Sequence, residues 1–238
     1  MSKILIGGRT MRYFWIPAIL LVALLGCGGR DAVRMDTAAP NSARSGDVFQ
    51  PAVELFDGNV LSPMVDADVG EILNGPGTGG DVGTPWADST GRHWAVAVAL
   101  QRLPASTSCR IAYRFLGEGF TSALGYVPVN PDITVIRLPK VVGCYFQNEL
   151  PHDPFIEVAV AFQYRTEAGD WDIGVVRLEF DPNNFPGPYT NVPFTEVFLN
   201  ELDNIEPDIA YRPTNGDIYI ISVTDDGLGD ADLYFTEG

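Results

Sequence analysis

The stretch Pro207-Asp-Ile-Ala-Tyr-Arg-Pro-Thr-Asn-Gly-Asp-Ile-Tyr-Ile-Ile-Ser-Val-Thr-Asp-Asp-Gly-Leu-Gly-Asp-Ala-Asp-Leu-Tyr-Phe235 decides the fold. Three short apolar runs rich in β-branched and aromatic residues are cut by two turn signals, Pro213 to Gly216 and Asp225 to Asp230. Gly, Pro, Asn and Asp fill the breaks because they tolerate the backbone angles that tight turns need. The pattern predicts a three-strand antiparallel meander.

Working outward, the same pattern recurs. Around Trp86 the chain reads Pro-Trp-Ala-Asp-Ser-Thr-Gly-Arg-His-Trp-Ala-Val-Ala-Val. Trp86 falls on Tyr211, Gly91 on Gly216 and Trp94 on Tyr219, each at an offset of 125. Half that spacing points to Phe155–Tyr164, an apolar run followed by a turn at Glu167–Asp170 and a second run, Trp171–Phe180. A fixed period with strand-only content predicts a repeat. The expected units are about 81–138, 143–199 and 207–238. The first would have strands near 81–87, 93–101, 109–116 and 131–138. The second would have strands near 143–147, 155–164, 171–180 and 192–199. Sheets of four strands repeated about an axis are propeller blades. The expected fold is therefore all-β, a β-propeller-like array of four-stranded antiparallel blades, with a β-sandwich as the alternative. Stacking sheets on both sides would explain why Val158 to Phe162 is apolar at every position. The third unit stops one strand short at Gly238, which suggests an incomplete array or a shortened reading frame. Val69–Leu73 is one stretch that could lend an outer strand to the last unit.

The segment Tyr211-Arg-Pro-Thr-Asn-Gly-Asp-Ile-Tyr-Ile-Ile-Ser resembles a TolB-type propeller repeat: an aromatic, a tight polar turn, an apolar strand and an acidic turn. Trp86 to Val98 matches more loosely, with Asp88-Ser-Thr-Gly91 in place of the turn. The middle unit lacks the turn motif. The units also run longer than is usual for the family, with extra residues at Glu118–Asn130 and Asp181–Asn191. The resemblance implies a fold and a binding role and brings no catalytic set.

The N-terminus reads as an address. Arg9 and Arg12 precede an uncharged run from Tyr13 to Gly26, which is a secretory signal pattern. The run is too short to span a bilayer as a helix, which takes about 20 residues. Leu24-Leu-Gly-Cys27 resembles a bacterial lipobox, which implies a signal peptide over 1–26 and lipid attachment at Cys27. Gly28 after that cysteine favours the outer membrane or cell surface over retention at the inner membrane. Residues 27–47 are small and polar and read as a flexible tether, leaving 48–238 as the folded domain.

Charge narrows the partners. The 238-residue chain has a formal net charge of −16. Residues 1–26 hold three cations and no acid, so the remainder carries −19. Such a surface repels nucleic acid. The expected partners are the membrane, through the anchor, and an envelope protein or glycan. The 25 Gly and 18 Pro suit a turn-rich β chain. Setting Cys27 aside leaves Cys109 and Cys144, a disulfide candidate in an exported protein. That bridge would add about 3–4 kcal/mol in the chain-entropy account.

Motifs that could carry chemistry are few. Asp225 to Asp232 gathers four carboxylates, the strongest metal candidate, but its spacing does not fit a calcium loop. It reads as a solvated turn, so no metal or cofactor is expected. His93 and His152 are the only histidines, which rules out a multi-histidine centre. No Gly-x-Ser-x-Gly elbow or phosphate loop occurs. Asp88 to Trp94 resembles a sialidase Asp-box with its Asp one place too far from the Gly. A glycosidase would need two inward carboxylates, for which Asp81, Asp88, Glu157 and Asp208 are the candidates. Trp86, Trp94, Trp171, Tyr211, Tyr219 and Tyr234 read as packing residues, or else as a stacking surface for sugar or peptide. The expected function is a lipid-anchored extracytoplasmic binding or scaffolding module without catalytic residues. The alternatives are a secreted glycan-active hydrolase and a purely structural envelope lipoprotein.

Overall fold

The computed structural model describes residues 55–56, 64–78, 80–103, 109–147, 153–166, 169, 171–193, 195–198, 203–212, 214–225 and 231–237. All of these belong to the compact unit Ala52–Gly238. The signal and tether, Cys27, His152 and the centre of the Asp225–Asp232 turn lie outside the described residues, as does the side chain of Tyr234.

The described residues form an all-β structure. The strands are β1 (Met64–Asn74), β2 (Trp94–Arg102), β3 (Cys109–Gly117), β4 (Phe120–Thr121), β5 (Gly125–Tyr126) and β6 (Ile133–Phe146). They continue with β7 (Phe155–Thr166), β8 (Asp172–Phe180), β9 (Thr195–Phe198), β10 (Asp203–Tyr211), β11 (Ile218–Asp225) and β12 (Ala231–Glu237). Hydrogen bonding divides them into two sheets. The larger runs β4-β3-β2-β1-β6-β7-β8-β9, with β5 also on β3; the smaller runs β10-β11-β12. No closed ring forms among the described residues.

Strand β1 is the joint of the large sheet. Its first part pairs antiparallel with β2, from Met64↔Gln101 to Glu71↔Ala95. Its last three residues pair in parallel with β6, Ile72↔Gly143 through Asn74↔Tyr145. At the crossing, the Asp68 carboxylate accepts a hydrogen bond from the Val141 N–H at 3.0 Å. Gly70 supplies the clearance: a Cβ there would lie 2.3 Å from the Val141 carbonyl oxygen. Backbone cannot yield as a side chain tip can, so Gly70→Ala is expected to cost about 2–3 kcal/mol. A thermal scan should then show the midpoint lowered by roughly 5–10 °C. An unchanged midpoint would mean that the two strands do not cross this closely.

Side chains from the two halves of the large sheet meet in one core. Val96, Val98 and Leu100 of β2 and Ile111, Tyr113 and Phe115 of β3 share it with Val158, Val160 and Phe162 of β7 and Leu178 and Phe180 of β8. Phe180 carries much of the contact, with ring centroids 4.9 Å from Phe115, 5.9 Å from Tyr113 and 6.2 Å from Phe185. A second core lies on the opposite face of β7. There Cys144, Phe146, Ala159, Ala161, Ile173 and Val175 pack with Ile209, Tyr211, Ile218 and Ile220 of the small sheet. Strand β7 is thus buried on both faces, as the uniform apolarity of Val158 to Phe162 predicts. The small sheet alternates instead: Pro207, Ile209 and Tyr211 point inward, while Asp208 and Ala210 face out.

Three strand expectations are corrected. Residues 81–87 are not a strand; they belong to a loop touched by the isolated bridges Leu73↔Pro85 and Ala87↔His93. The stretches 131–138 and 143–147 are not separate strands of neighbouring units. They are one strand, β6, and it pairs with β7. Pro139 suggests a break, yet it sits in a bulge between Arg137 and Lys140, where Leu138 takes φ 50°. A bulge is where a strand tolerates the missing proline N–H. Finally, Val69–Leu73 lies within β1 at the joint of the large sheet rather than at an outer edge.

Candidate functional site

The loop joining β1 to β2 is fastened back onto β1. The Asn74 N–H donates to Thr84 O at 2.8 Å, Gly83 to Asn74 O at 2.7 Å and Trp86 to Ile72 O at 2.7 Å. The loop closes in a tight turn: Asp88 N donates to Arg92 O and Gly91 N to Asp88 O. Gly91 takes φ 81° there, a backbone state that favours glycine. The loop between β10 and β11 closes in a similar way, with Gly216 N donating to Arg212 O and Gly216 at φ 79°. These are the two glycines that the 125-residue offset superimposes. At Gly216 the fit is also steric, since a Cβ would meet the Phe146 ring at 2.3 Å.

Asp88 organises the first turn. Its Oδ1 accepts from Thr90 N at 2.8 Å, Thr90 Oγ1 at 2.6 Å and Arg92 N at 3.1 Å. Its Oδ2 accepts from the Trp94 indole N–H at 3.0 Å. Burial pushes the carboxyl pKa up, but the bonds from Thr90, Trp94 and Arg92 outweigh it and hold the value at about 2. Asp88 is therefore a permanent anion that fixes the turn and the indole, and a poor general acid.

Fixed in this way, Trp94 packs edge-on against Phe185 at 5.2 Å and Phe120 at 5.6 Å, with Arg92 over the Trp94 ring at 5.5 Å. Trp86 meets Tyr145 at 5.3 Å and Phe185 at 5.5 Å. Above this aromatic floor opens a cleft of about 990 Å³, rimmed by Asn74, Asp88, Arg92, Gln147 and Asn183. The loops after β1, β6 and β8 all reach it. An apolar floor with a few convergent polar groups is the usual form of a binding cleft.

The four carboxylates raised by the sequence are not brought together. Asp81 and Asp88 are in the β1–β2 loop, with Asp88 lining the cleft. Asp208 is exposed on the outward face of the small sheet. Glu157 is sealed in the second core, where the Arg177 guanidinium reaches its Oε1 at 2.8 Å and the Tyr211 hydroxyl donates to it at 2.5 Å. His93 is exposed beside its bridge to Ala87. Among the described residues no three His, Cys, Asp or Glu groups converge as metal ligands. The aromatics divide: Trp86 and Trp94 pack in the first core, Tyr211 in the second, and Trp171 is half-buried.

No disulfide joins Cys109 and Cys144, the expected pair, in the structure. Cys109 opens β3 beside the first core, while Cys144 lies on β6 in the second core, on the other face of the sheet. Even loop spacing cannot reveal which face each thiol will take. The sequence reading also missed Tyr145 and Phe185. Phe185 lies in Pro182-Asn-Asn-Phe-Pro-Gly-Pro188, within the long connection after β8, and that extra length was the available signal.

Compared with known proteins, the chain matches no family model, no curated protein and no solved structure.

Proposed function

We propose that the chain is a lipid-anchored extracytoplasmic binding or scaffolding module of β-propeller type, which meets an envelope protein or glycan at the cleft above Trp86 and Trp94. The observation that carries the binding role is the cleft itself, an aromatic floor held rigid by Asp88 beneath a polar rim. Its one well-placed carboxylate is consumed in holding the tryptophan, which favours recognition over hydrolysis.

The blade reading has two supports. Successive meanders recur at a near-constant interval: β2, β7 and β11 begin at Trp94, Phe155 and Ile218, steps of 61 and 63 residues. The strands leading the first two meanders, β1 and β6, run parallel, so the two meanders repeat with the same chain direction. The anchor rests on Leu24 to Cys27 and the cationic start.

One set of cells tests both halves. Wild type is expected to take up an alkyne-tagged palmitate label and to sediment with membranes, and Cys27→Ala to lose the label and leave the membrane fraction. Retention of both by the variant defeats the anchor. A photo-crosslinker at Asn183, exposed on the cleft rim, is expected to capture an envelope protein or glycan. A clean absence of adducts defeats the binding role.

A further inference from the structure

A second hollow, of about 570 Å³, lies at the other end of the strands. It is lined by Asp66, Leu100, Arg102, Cys109, Arg137 and Trp171 among others. It shares no lining residue with the aromatic cleft, which gathers the opposite ends of β1, β2 and β6. In a chain of net charge −16, two arginines on one small hollow stand out. A third, Arg165, lies 5.0 Å from the Trp171 ring.

Arg137 is held in an unusual state. Its guanidinium carbon sits 3.2 Å over the Trp171 ring centroid, which fixes the plane of the fork. The Trp171 backbone is itself clamped, its N–H donating to the Asp203 carboxylate at 2.8 Å and its carbonyl accepting from Asn204 N at 2.6 Å. The Arg137 Nε is buried and meets no acceptor. Burial and the neighbouring Arg165 both push the Arg137 pKa down, and Asp203 and Asp66 only partly offset this. No carboxylate lies within ion-pair distance of its guanidinium among the described residues; Asp203 and Asp66 act on it from farther away. Arg102 stands across the hollow at the end of β2, exposed, opposite Cys109 in the ladder. Two guanidinium groups that face a hollow without a carboxylate in their forks form a receptor for a planar or tetrahedral anion.

We propose that this hollow is a binding site for a small oxyanion, a carboxylate or phosphate group carried by a soluble molecule, gripped between Arg102 and Arg137. Trp171 sets the orientation of the Arg137 fork. Asp66 on the rim suits a ligand that carries a hydroxyl or amine next to its acid group and disfavours a bare polyanion. The acidic surface as a whole opposes anions, so the grip is local, and binding weakens as salt rises.

The test is a calorimetric titration of the full-length chain in detergent at low ionic strength, with inorganic phosphate in one arm and D-glucuronate in the other. Saturation is expected with at least one of them, at a Kd on the order of 1–10 mM. The arm that saturates tells phosphate from carboxylate. Arg102→Gln, at an exposed position, is expected to weaken binding roughly tenfold and to leave the unfolding midpoint unchanged. Arg137→Lys keeps the charge, loses the fork and is expected to weaken it similarly. The proposal is overturned if neither anion saturates at tens of millimolar, or if both variants bind as the wild type does.

Discussion

Phe180→Ala is expected to lower the unfolding free energy by about 4 kcal/mol. Phe180 is 1% exposed and closes β8. Its ring touches Phe115 and Tyr113 of β3 and Phe185 and Tyr189 of the loop after β8. These edge-on pairs add about 0.5–1.5 kcal/mol each beyond the area they bury. The ladder that joins the two halves of the large sheet is short, the three-residue parallel run of β1 on β6. Side-chain packing between β3 and β8 must therefore hold them face to face. A cavity at Phe180 opens that contact, and neighbouring backbone cannot collapse into it without moving a strand. Urea unfolding should give a lower midpoint with little change in slope. Phe120→Ala is the control, since Phe120 is 42% exposed and should cost under about 1 kcal/mol. If Phe180→Ala costs no more than Phe120→Ala, β3 and β8 do not share a core.

The residues that announced the fold are those whose environment is uniform along the strand. Val158 to Phe162 is apolar at every position because both faces of β7 are covered, and that can be read without a structure. Gly91 and Gly216 were legible for a different reason: the turn chemistry itself selects glycine at positive φ. Strand β1 was hidden because little of it is buried. Asp66, Ala67, Val69 and Glu71 are exposed, so its composition resembles a loop. Strand β6 was split in the reading because the repeat period assigned 131–138 and 143–147 to different units, and the bulge at Pro139 that lets it run on depends on the partner strand and not on local propensity. The cleft was half legible. Trp86, Asp88 and Trp94 lie close in sequence, whereas Tyr145 and Phe185 arrive from β6 and the loop after β8 through tertiary packing alone. The paired arginines at the far hollow were silent for the same reason, since Arg102 and Arg137 are far apart in the chain and meet only when β2 and β6 are brought together.

Arg177→Leu is expected to cost about 3 kcal/mol at neutral pH and less near pH 4.5, because the residue it strands is Glu157. Glu157 is 3% exposed on β7, at the contact between the large sheet and the small one. Burial raises its pKa above the ordinary value of 4.5; Arg177 and the Tyr211 hydroxyl pull it back only in part. Tyr211, buried from the other side, has its own pKa pushed well above the usual 10 by burial and by Glu157, so it stays a donor. A carboxyl whose folded pKa is raised favours folding most when protonated. Its contribution is complete below the unfolded pKa of 4.5 and is lost as pH rises through the higher folded value. In the wild type, Arg177 limits that loss by holding the anion. Without Arg177, the ionised carboxylate at pH 7 has only Tyr211 of the two, and Glu157 must either stay charged in the core or take up a proton at a cost. Near pH 4.5 the unfolded acid is about half protonated and the folded one more than half, so less charge is stranded and the missing guanidinium matters less. The Arg177 side chain is 18% exposed, so its own desolvation is partial and the cost lies toward the low end for a broken buried pair. Denaturant curves at the two pH values measure the difference. Glu157→Gln combined with Arg177→Leu should recover most of the stability at pH 7, because the stranded charge is gone. A penalty that is equal at both pH values would instead place the cost in lost packing of the Arg177 stem.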